Sequence, residues 1–229
     1  MSKAFDRTLR HLLEHWPEDW LRLAGVREWG TIQSVDADLA TVSPEADKVF
    51  LLSRPAEWLL HLEFQAGYDA DLPHRVHLYN TLVHHRHRKP AGSVVFLLRR
   101  QADGPAMTGV LRRERPEGRT YLEFQYDVIR VWELSADTVL AGGLGVLPLA
   151  PIADDASDRL AEIVRQIETR TTEEASPSAA SELLTSTSIL MGLRYPSEIT
   201  IPLFQGIRAM RESSTFQWIL EEGRQEGRQ

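Results

Sequence analysis

The chain has 229 residues, no cysteine, and 26 Lys and Arg against 33 Asp and Glu, giving a formal net charge of -7. Without cysteine there can be no disulfide framework, no thiolate metal site and no cysteine nucleophile. The N-terminus is charged throughout, unlike a signal peptide, and no run reaches the ~18 apolar residues that a membrane span requires. We therefore expect a cytoplasmic protein with no membrane partner.

The first half of the chain predicts helices followed by strands. Apolar residues at helical spacing predict a helix over 3–24 that Pro17 interrupts. An irregular strand follows over 26–42. Two further strands, over 47–52 and 57–65, are close enough in sequence to pair as a hairpin.

The segment after this hairpin alternates again between helix and strand. Asp71 is the predicted N-cap of a helix that ends before Pro90. The apolar run at 93–98 (SVVFLL) predicts a central strand, and further strands are predicted over 107–113 and 119–132. This order predicts an α/β fold with a mixed sheet flanked by helices.

Beyond Leu140 the sequence changes character. The Gly- and Pro-rich stretch 142–155 is typical of a connector. Helices are predicted after it at 156–171, 178–192, 197–212 and 214–222. We therefore divide the chain into a core, 1–145, and an all-α C-terminal extension, 146–229, whose helices offer a surface for self-association into a homo-oligomer.

Two carboxylates stand out in the predicted hairpin. Because side chains alternate along a strand, His61, Glu63 and Gln65 share one face of the strand over 57–65. Asp47 opens the neighbouring strand, so pairing of the two strands would bring Asp47 and Glu63 together. Such a pair is costly unless a cation neutralises it, and hard divalent ions prefer these oxygen ligands.

An Asp that opens one strand, followed by Glu-x-Gln on the next, resembles the motif of the PD-(D/E)xK nucleases. The wider context is most similar to the Rpn/transposase-like branch of that superfamily. The resemblance spans nearly the whole chain, and these segments carry it: Ala46-Asp47, Leu60–Gln65, Leu72–Arg75 with Tyr79, 93–98, Val131–Leu134 and 211–215.

This resemblance implies a restriction-endonuclease-like core and a DNA endonuclease of the transposase or recombination-promoting type that depends on Mg²⁺ or Mn²⁺. Asp47 and Glu63 would hold the metal, and Gln65, as the third catalytic residue, would occupy the place of the usual lysine. The implied supporting residues are Asp6, Lys48, Arg75 and Tyr79. Because a neutral amide supplies no positive charge, the alternative is a catalytically weakened nuclease fold that serves as a DNA-binding or regulatory module.

A basic block lies inside this acidic chain. Residues 70–130 hold 11 Lys and Arg against 6 Asp and Glu, a local net charge of +5. Such a block can bind phosphates even in an acidic protein, because salt limits charge interactions to roughly 8–10 Å. Alternatively, it holds cations that favour a helix C-terminus and a solvated hairpin. The residues predicted to contact DNA are Arg86, Arg88, Lys89, Arg112 and Arg113.

The tetrapeptide Leu-Glu-Phe-Gln occurs twice, at 62–65 and 122–125. The second copy is flanked by Tyr121 and Tyr126 and has no acid opening a strand just upstream. We interpret it as a structural strand with an exposed Glu123. Only the first copy is a candidate for chemistry.

Overall fold

A computed structural model describes residues 3–35, 48–205 and 207 of the chain. The elements in chain order are α1 (Lys3–His15), α2 (Pro17–Leu23), β1 (Ile32–Val35), β2 (Lys48–Leu52), β3 (Trp58–Gln65), α3 (Leu72–His87), β4 (Ala91–Leu97), β5 (Val110–Glu114), β6 (Thr120–Gln125), β7 (Asp127–Arg130), α4 (Ala136–Leu140), α5 (Leu160–Glu174), α6 (Pro177–Met191) and α7 (Ser197–Phe204). The break before Pro17 and the predicted starts of β2, β3 and α3 fall within a residue or two of these bounds. The predicted segments 36–47 and 208–229 lie outside the described residues.

Five strands form one mixed sheet in the order β1-β2-β3-β4-β7. β1, β2 and β3 are antiparallel neighbours, which confirms the predicted hairpin, whereas β3, β4 and β7 run parallel. A parallel neighbour requires a crossover, and α3 supplies it between β3 and β4. The sheet and its helices confirm the predicted α/β class.

The core of the sheet lies where the parallel strands meet. β3 and β4 are almost entirely buried, as their apolar sequences predict for central strands. Phe64 and Phe96 are direct cross-strand partners, and their rings stack with centroids 5.1 Å apart. This packing fixes β3, so the side chains on its other face, among them Glu63, are held in a rigid element.

The prediction of a single strand over 119–132 is wrong. β6 pairs with β5 in a separate two-stranded sheet, whereas β7 joins the large sheet beside β4. The break falls at Tyr126, whose backbone N–H donates to the carbonyl of Gly109 and whose side chain is buried. The chain thus leaves one sheet and enters the other at this residue.

The prediction of a connector over 142–155 is also wrong. Residues Leu144–Ile152 form a 3₁₀ helix, and every residue from Gly145 to Ile152 is buried. The segment has no charged side chain before Asp154, so burial costs it little, and proline tolerates short helical turns. A side chain at Gly145 would collide with Trp16, which explains why glycine occupies that position.

By internal contacts the chain divides into two compact units. The first comprises the described residues of 1–10 and 21–131 and contains the mixed sheet. The second comprises 11–20 and the described residues from 132 onward, and contains α4 to α7. This division does not test whether either unit folds alone, so the domain boundary expected at residue 145 stays a prediction. Over the described ranges, no helix is both long and apolar enough to cross a membrane.

Candidate active site at the carboxyl end of β3

The candidate site lies at the carboxyl end of β3, beside the parallel strand β4. Glu63 and Gln65 are the register partners of Val95 and Leu97. The Glu63 side chain is only 5% exposed, which is exceptional for a carboxylate and requires a compensating partner. In open α/β sheets, ligands bind outside the carboxyl ends of parallel strands, so this is where the fold favours a site.

Arg75 on α3 is the partner that compensates Glu63. Its Nη2 donates to Glu63 Oε1 at 2.8 Å and lies 3.4 Å from Gln65 Oε1, while Nη1 donates to Asp69 Oδ2 at 2.5 Å. The amide of Gln65 is oriented at its other end, where Nε2 donates to the carbonyl of Gly67 at 2.7 Å. One guanidinium therefore joins two predicted catalytic side chains, and it supports the role predicted for Arg75.

The charge of this cluster follows from its surroundings. Burial lowers the pKa of Arg75, but the Glu63 carboxylate and the hydrogen bonds to Glu63 and Asp69 outweigh burial and leave the pKa above its ordinary value. Arg75 is thus a permanent cation, and Glu63 faces a full positive charge from α3.

His61 is a member of the site that the sequence analysis did not single out. Its side chain is fully buried, and its Nε2 lies 3.8 Å from Glu63 Oε2. Burial lowers the pKa of His61; Glu63 opposes this shift and Arg75 adds to it, so the ring is neutral near pH 7. The alternation that places His61 on the Glu63 face of β3 was the signal that could have identified it.

Tyr79, predicted as a supporting residue, packs on this histidine. The two rings are stacked, with centroids 5.6 Å apart and an interplanar angle of 27°. Tyr79 is itself buried at 2% exposure, on the face of α3 that covers the sheet. The structure therefore brings Glu63, Gln65, Arg75 and Tyr79 into one cluster with His61.

The predicted site also includes Asp47, Lys48 and Asp6. Asp47 lies outside the described residues. Lys48 begins β2, opposite Leu62 on β3, and is half-buried. Asp6 lies in α1 and is 8% exposed.

The predicted DNA contacts fall at three separate places. Arg86 lies 11 residues beyond Arg75 on α3, about 16 Å along the helix axis, and Arg88 ends the helix in a left-handed conformation with φ of 56°. Lys89 forms an ion pair with Glu57. This end of α3 is therefore remote from Glu63.

The two arginines of β5 differ in their partners. Arg112 donates to Glu123 of β6 at 2.7 Å, across the hairpin. Arg113 instead approaches α3, where its Nη2 lies 3.1 Å from His74 Nδ1. Arg113 and His74 line a cavity of about 630 Å³ that Arg75 and His77 also line.

The two copies of Leu-Glu-Phe-Gln have opposite environments. In β3 the tetrapeptide is almost completely buried, and Glu63 is 5% exposed. In β6 it alternates between exposed and half-buried positions, and the Glu123 side chain is 40% exposed. The prediction that Glu123 is an exposed strand residue is confirmed.

The donor set at the carboxyl end of β3 is of the kind that binds hard cations. Glu63 and Gln65 offer a carboxylate and an amide oxygen two residues apart. Within 3–35 and 48–205, His, Asp and Glu form no group of three that could hold a metal ion. Asp47, the second predicted ligand, is not among those residues, so Glu63 is the one predicted metal ligand whose surroundings the structure describes.

The chain matches no protein-family model, no curated protein and no solved structure.

Proposed function

We propose that the protein is a divalent-metal-dependent DNA endonuclease with a restriction-endonuclease-like core, of the transposase-like PD-(D/E)xK type. The observation that carries this proposal is a buried carboxylate, Glu63, at the carboxyl end of a parallel strand, joined with Gln65 by the guanidinium of Arg75. If this position served only the stability of the sheet, an apolar residue would suit it at least as well, because buried ion pairs rarely improve stability over apolar packing.

The register of the hairpin supports Asp47 as the second ligand. Lys48 lies opposite Leu62 and Val49 opposite His61, on the face of β3 that carries Glu63. Asp47 directly precedes this paired segment in the sequence. Directly opposite residues of an antiparallel pair have their side chains on the same face. On this proposal, Asp47 and Glu63 hold one Mg²⁺ or Mn²⁺ ion, which would polarise the phosphodiester and lower the pKa of a bound water.

The other residues have separate roles in the proposed site. Arg75 fixes the orientation of the Glu63 carboxylate and supplies the positive charge that a lysine at position 65 would otherwise bring. Gln65, held by Arg75 and by the Gly67 carbonyl, presents an oriented amide to the water or the phosphate. Asp6 stays a proposed supporting residue. Lys48 lies opposite Leu62, on the sheet face away from Glu63, so the supporting role proposed for it is limited to longer-range attraction.

The proposed substrate path runs from Glu63 toward the cavity between α3 and β5. Arg75 lies both in the cluster with Glu63 and on the wall of that cavity, which Arg113 and His74 also line. A phosphate of the DNA backbone there would receive charge-assisted hydrogen bonds from Arg113. Arg112, Lys89, Arg86 and Arg88 would contribute only longer-range attraction, because they lie elsewhere or have acidic partners.

The repeated tetrapeptide provides the matched experiment. Supercoiled plasmid incubated with the protein and Mg²⁺ or Mn²⁺ is expected to be nicked, and Glu63→Gln is expected to abolish most of this nicking, because it removes a carboxylate ligand of the proposed metal. Glu123→Gln alters the same residue in the same tetrapeptide at an exposed site and is expected to cleave like the wild type. Equal rates for all three proteins, or cleavage that persists in EDTA, would contradict the proposal.

The second candidate function is a nuclease-fold DNA-binding or regulatory module without catalysis. The ion pair favours this candidate, because Arg75 already neutralises Glu63 without a metal. Gln65 favours it as well, because a neutral amide supplies no positive charge. Salt-sensitive DNA binding that is equal in wild type and Glu63→Gln, with no cleavage at any Mg²⁺ or Mn²⁺ concentration, would favour this candidate. Self-association through the C-terminal helices and a cytoplasmic location belong to both candidates, and light scattering of the full chain tests the first of these.

A further inference from the structure

A row of polar side chains, half-buried at Asn80 and buried at Ser93 and His61, leads from α3 toward Glu63. Asn80 of α3 contacts Ser93 of β4, Ser93 contacts His61 of β3, and His61 faces Glu63. Ser93 and His61 are 4% and 0% exposed. Asn80, Ser93 and His61 lie within hydrogen-bonding distance of one another in turn, whereas His61 Nε2 and Glu63 Oε2 are 3.8 Å apart, beyond that distance. Each donor among the first three needs an acceptor, so their proton positions can be assigned from chemistry.

The assignment starts at Asn80. Its Nδ2 lies 2.9 Å from the carbonyl oxygen of Ala91 and 3.0 Å from Ser93 Oγ. A carbonyl oxygen can only accept, so the NH₂ group must face Ala91, and its second proton points to Ser93. Ser93 Oγ accepts this proton, which leaves its own hydroxyl proton for another acceptor.

His61 Nδ1 is within reach of that hydroxyl and can accept its proton. Ser93 Oγ lies 3.3 Å from His61 Nδ1, and a neutral imidazole nitrogen that accepts carries no proton. The ring proton then lies on Nε2, the nitrogen 3.8 Å from Glu63 Oε2. The opposite tautomer would direct the Nε2 lone pair at the carboxylate, which is unfavourable between two buried groups.

We propose that His61 is a positioning residue for the candidate active site: with Nδ1 accepting from Ser93, it points its Nε2–H toward Glu63 Oε2, 3.8 Å away, while Arg75 donates to Oε1. This inference rests on the proposed function insofar as it assigns Glu63 to catalysis. Arg75 thus fixes one carboxylate oxygen by a hydrogen bond, and the His61 N–H acts on the other oxygen electrostatically across 3.8 Å. Stacking on Tyr79 fixes the plane of the imidazole and hence the direction of its N–H.

Orientation of this kind matters because a metal ligand must present its lone pairs in one direction. Partners that orient a ligating carboxylate or histidine typically change metal affinity or activity 10- to 100-fold when they are removed. An uncharged donor also achieves this without adding a second positive charge next to Arg75. His61 therefore adds no further positive charge that would compete with a divalent cation for Glu63.

The experiment combines a spectroscopic measurement with a pair of substitutions in the full chain. ¹⁵N NMR of the histidine ring distinguishes a protonated from an unprotonated nitrogen. We expect His61 to show a protonated Nε2 and an unprotonated Nδ1, and we expect Ser93→Ala to abolish this strict preference. A protonated Nδ1 in the wild type would overturn the proposal, and so would an unchanged tautomer in Ser93→Ala.

The substitutions test whether the N–H acts on Glu63. His61→Gln retains an N–H donor of similar reach, whereas His61→Leu fills the volume without one. With DNA and Mg²⁺, His61→Leu is expected to lower kcat 10- to 100-fold at similar KM, and His61→Gln is expected to restore most of it. Equal loss in both variants would show that only packing matters and would overturn the proposal.

The His61 arrangement can be tested even if the wild type cleaves no DNA. In that event the proposed function fails, while the tautomer of His61 and its response to Ser93→Ala still confirm or overturn the arrangement. The ¹³C chemical shift of the Glu63 carboxyl carbon gives the matching readout for the variants: it is expected to move in His61→Leu and to stay near the wild-type value in His61→Gln. A shift that is identical in both variants would overturn the inference.

Discussion

Arg75 on α3 and Glu63 on β3 form an ion pair in which Nη2 lies 2.8 Å from Oε1, between side chains that are 29% and 5% exposed. The pair ties the crossover helix to the strand that carries the candidate site. Because Glu63 is far more deeply buried than Arg75, the two partners are not equivalent. Removing the arginine would leave a carboxylate that water reaches poorly.

The first prediction concerns this asymmetry. Arg75→Ala is expected to lower the free energy of unfolding by about 1–3 kcal/mol, since it strands a buried carboxylate without its charged partner. In an Arg75→Ala background, adding Glu63→Gln is expected to recover part of that loss, because the stranded charge disappears. Urea unfolding followed by tryptophan fluorescence measures both effects.

The control for this prediction is the exposed pair on the small hairpin. Arg112 and Glu123 also form an ion pair, with side chains 55% and 40% exposed. Arg112→Ala is expected to leave the unfolding midpoint almost unchanged, because exposed pairs contribute little. An effect of Arg112→Ala as large as that of Arg75→Ala would contradict the interpretation of Glu63 as a buried charge.

A second prediction uses the phenylalanines of the repeated tetrapeptide. Phe64 is fully buried and stacks on Phe96, whereas Phe124 is half-buried and touches His77 edge-on, with ring centroids 5.1 Å apart. Phe64→Ala is expected to cost about 3–5 kcal/mol of unfolding free energy through lost burial and a residual cavity. Phe124→Ala is expected to cost clearly less, and urea midpoints compare the two. Equal costs would mean that β6 is as deeply packed as β3.

The same repeat shows how far the sequence predicts this structure. The strand type of both copies follows from alternation, and the absence of an acid-opened strand upstream of 122–125 correctly predicted its exposed glutamate. Sequence did not predict that the chain changes sheets at Tyr126, because a continuous strand-like pattern does not reveal where strand partners change.

The candidate site was predictable in part for a similar reason. Strand alternation places Glu63 and Gln65 on one face, and the start of α3 places Arg75 one turn into the next helix. The contact of Arg75 with both side chains depends on how α3 packs over β3, which is a tertiary property. The role of Ser93 was hidden for the same reason, since only the parallel register brings it opposite His61.

A third prediction concerns DNA binding. In a Glu63→Gln background without metal, Arg113→Gln is expected to weaken binding to a duplex oligonucleotide and to reduce the salt slope by about one. Arg112→Gln is expected to change the slope less, since Glu123 already neutralises that arginine. Fluorescence anisotropy between 50 and 200 mM salt, about the range over which such contacts weaken most, measures both slopes. A larger effect of Arg112→Gln would place the phosphate contact on the other face of the hairpin.

A fourth prediction concerns His77, which lies on α3 and faces the small hairpin. Burial, and then the positive charge of Arg113 and the neighbouring His74, hold the pKa of His77 below its ordinary value. Asp69 and Asp71, which line the same cavity, do not reverse this shift. The imidazole is therefore neutral at pH 7, with the Phe124 ring against its edge.

The sign of the resulting pH dependence is fixed by the direction of this shift. Well above pH 6.5 the ring is neutral in both folded and unfolded chains, so it makes no difference to stability. As the pH falls below 6.5 the unfolded chain takes up the proton first, so the folded state loses stability until the pH passes the folded-state pKa. NMR titration of the His77 ring and urea midpoints at successive pH values measure these two quantities independently.

Arg113→Gln separates the electrostatic cause from burial. Removing this cation is expected to raise the pKa of His77 toward its ordinary value and to flatten the loss of stability below pH 6.5, whereas Arg112→Gln is expected to leave both unchanged. Binding of a DNA phosphate beside Arg113 would raise the pKa of His77 in the same direction, because an anion favours the protonated ring. A His77 pKa that ignores both Arg113→Gln and added duplex DNA would remove the phosphate path from the cavity between α3 and β5.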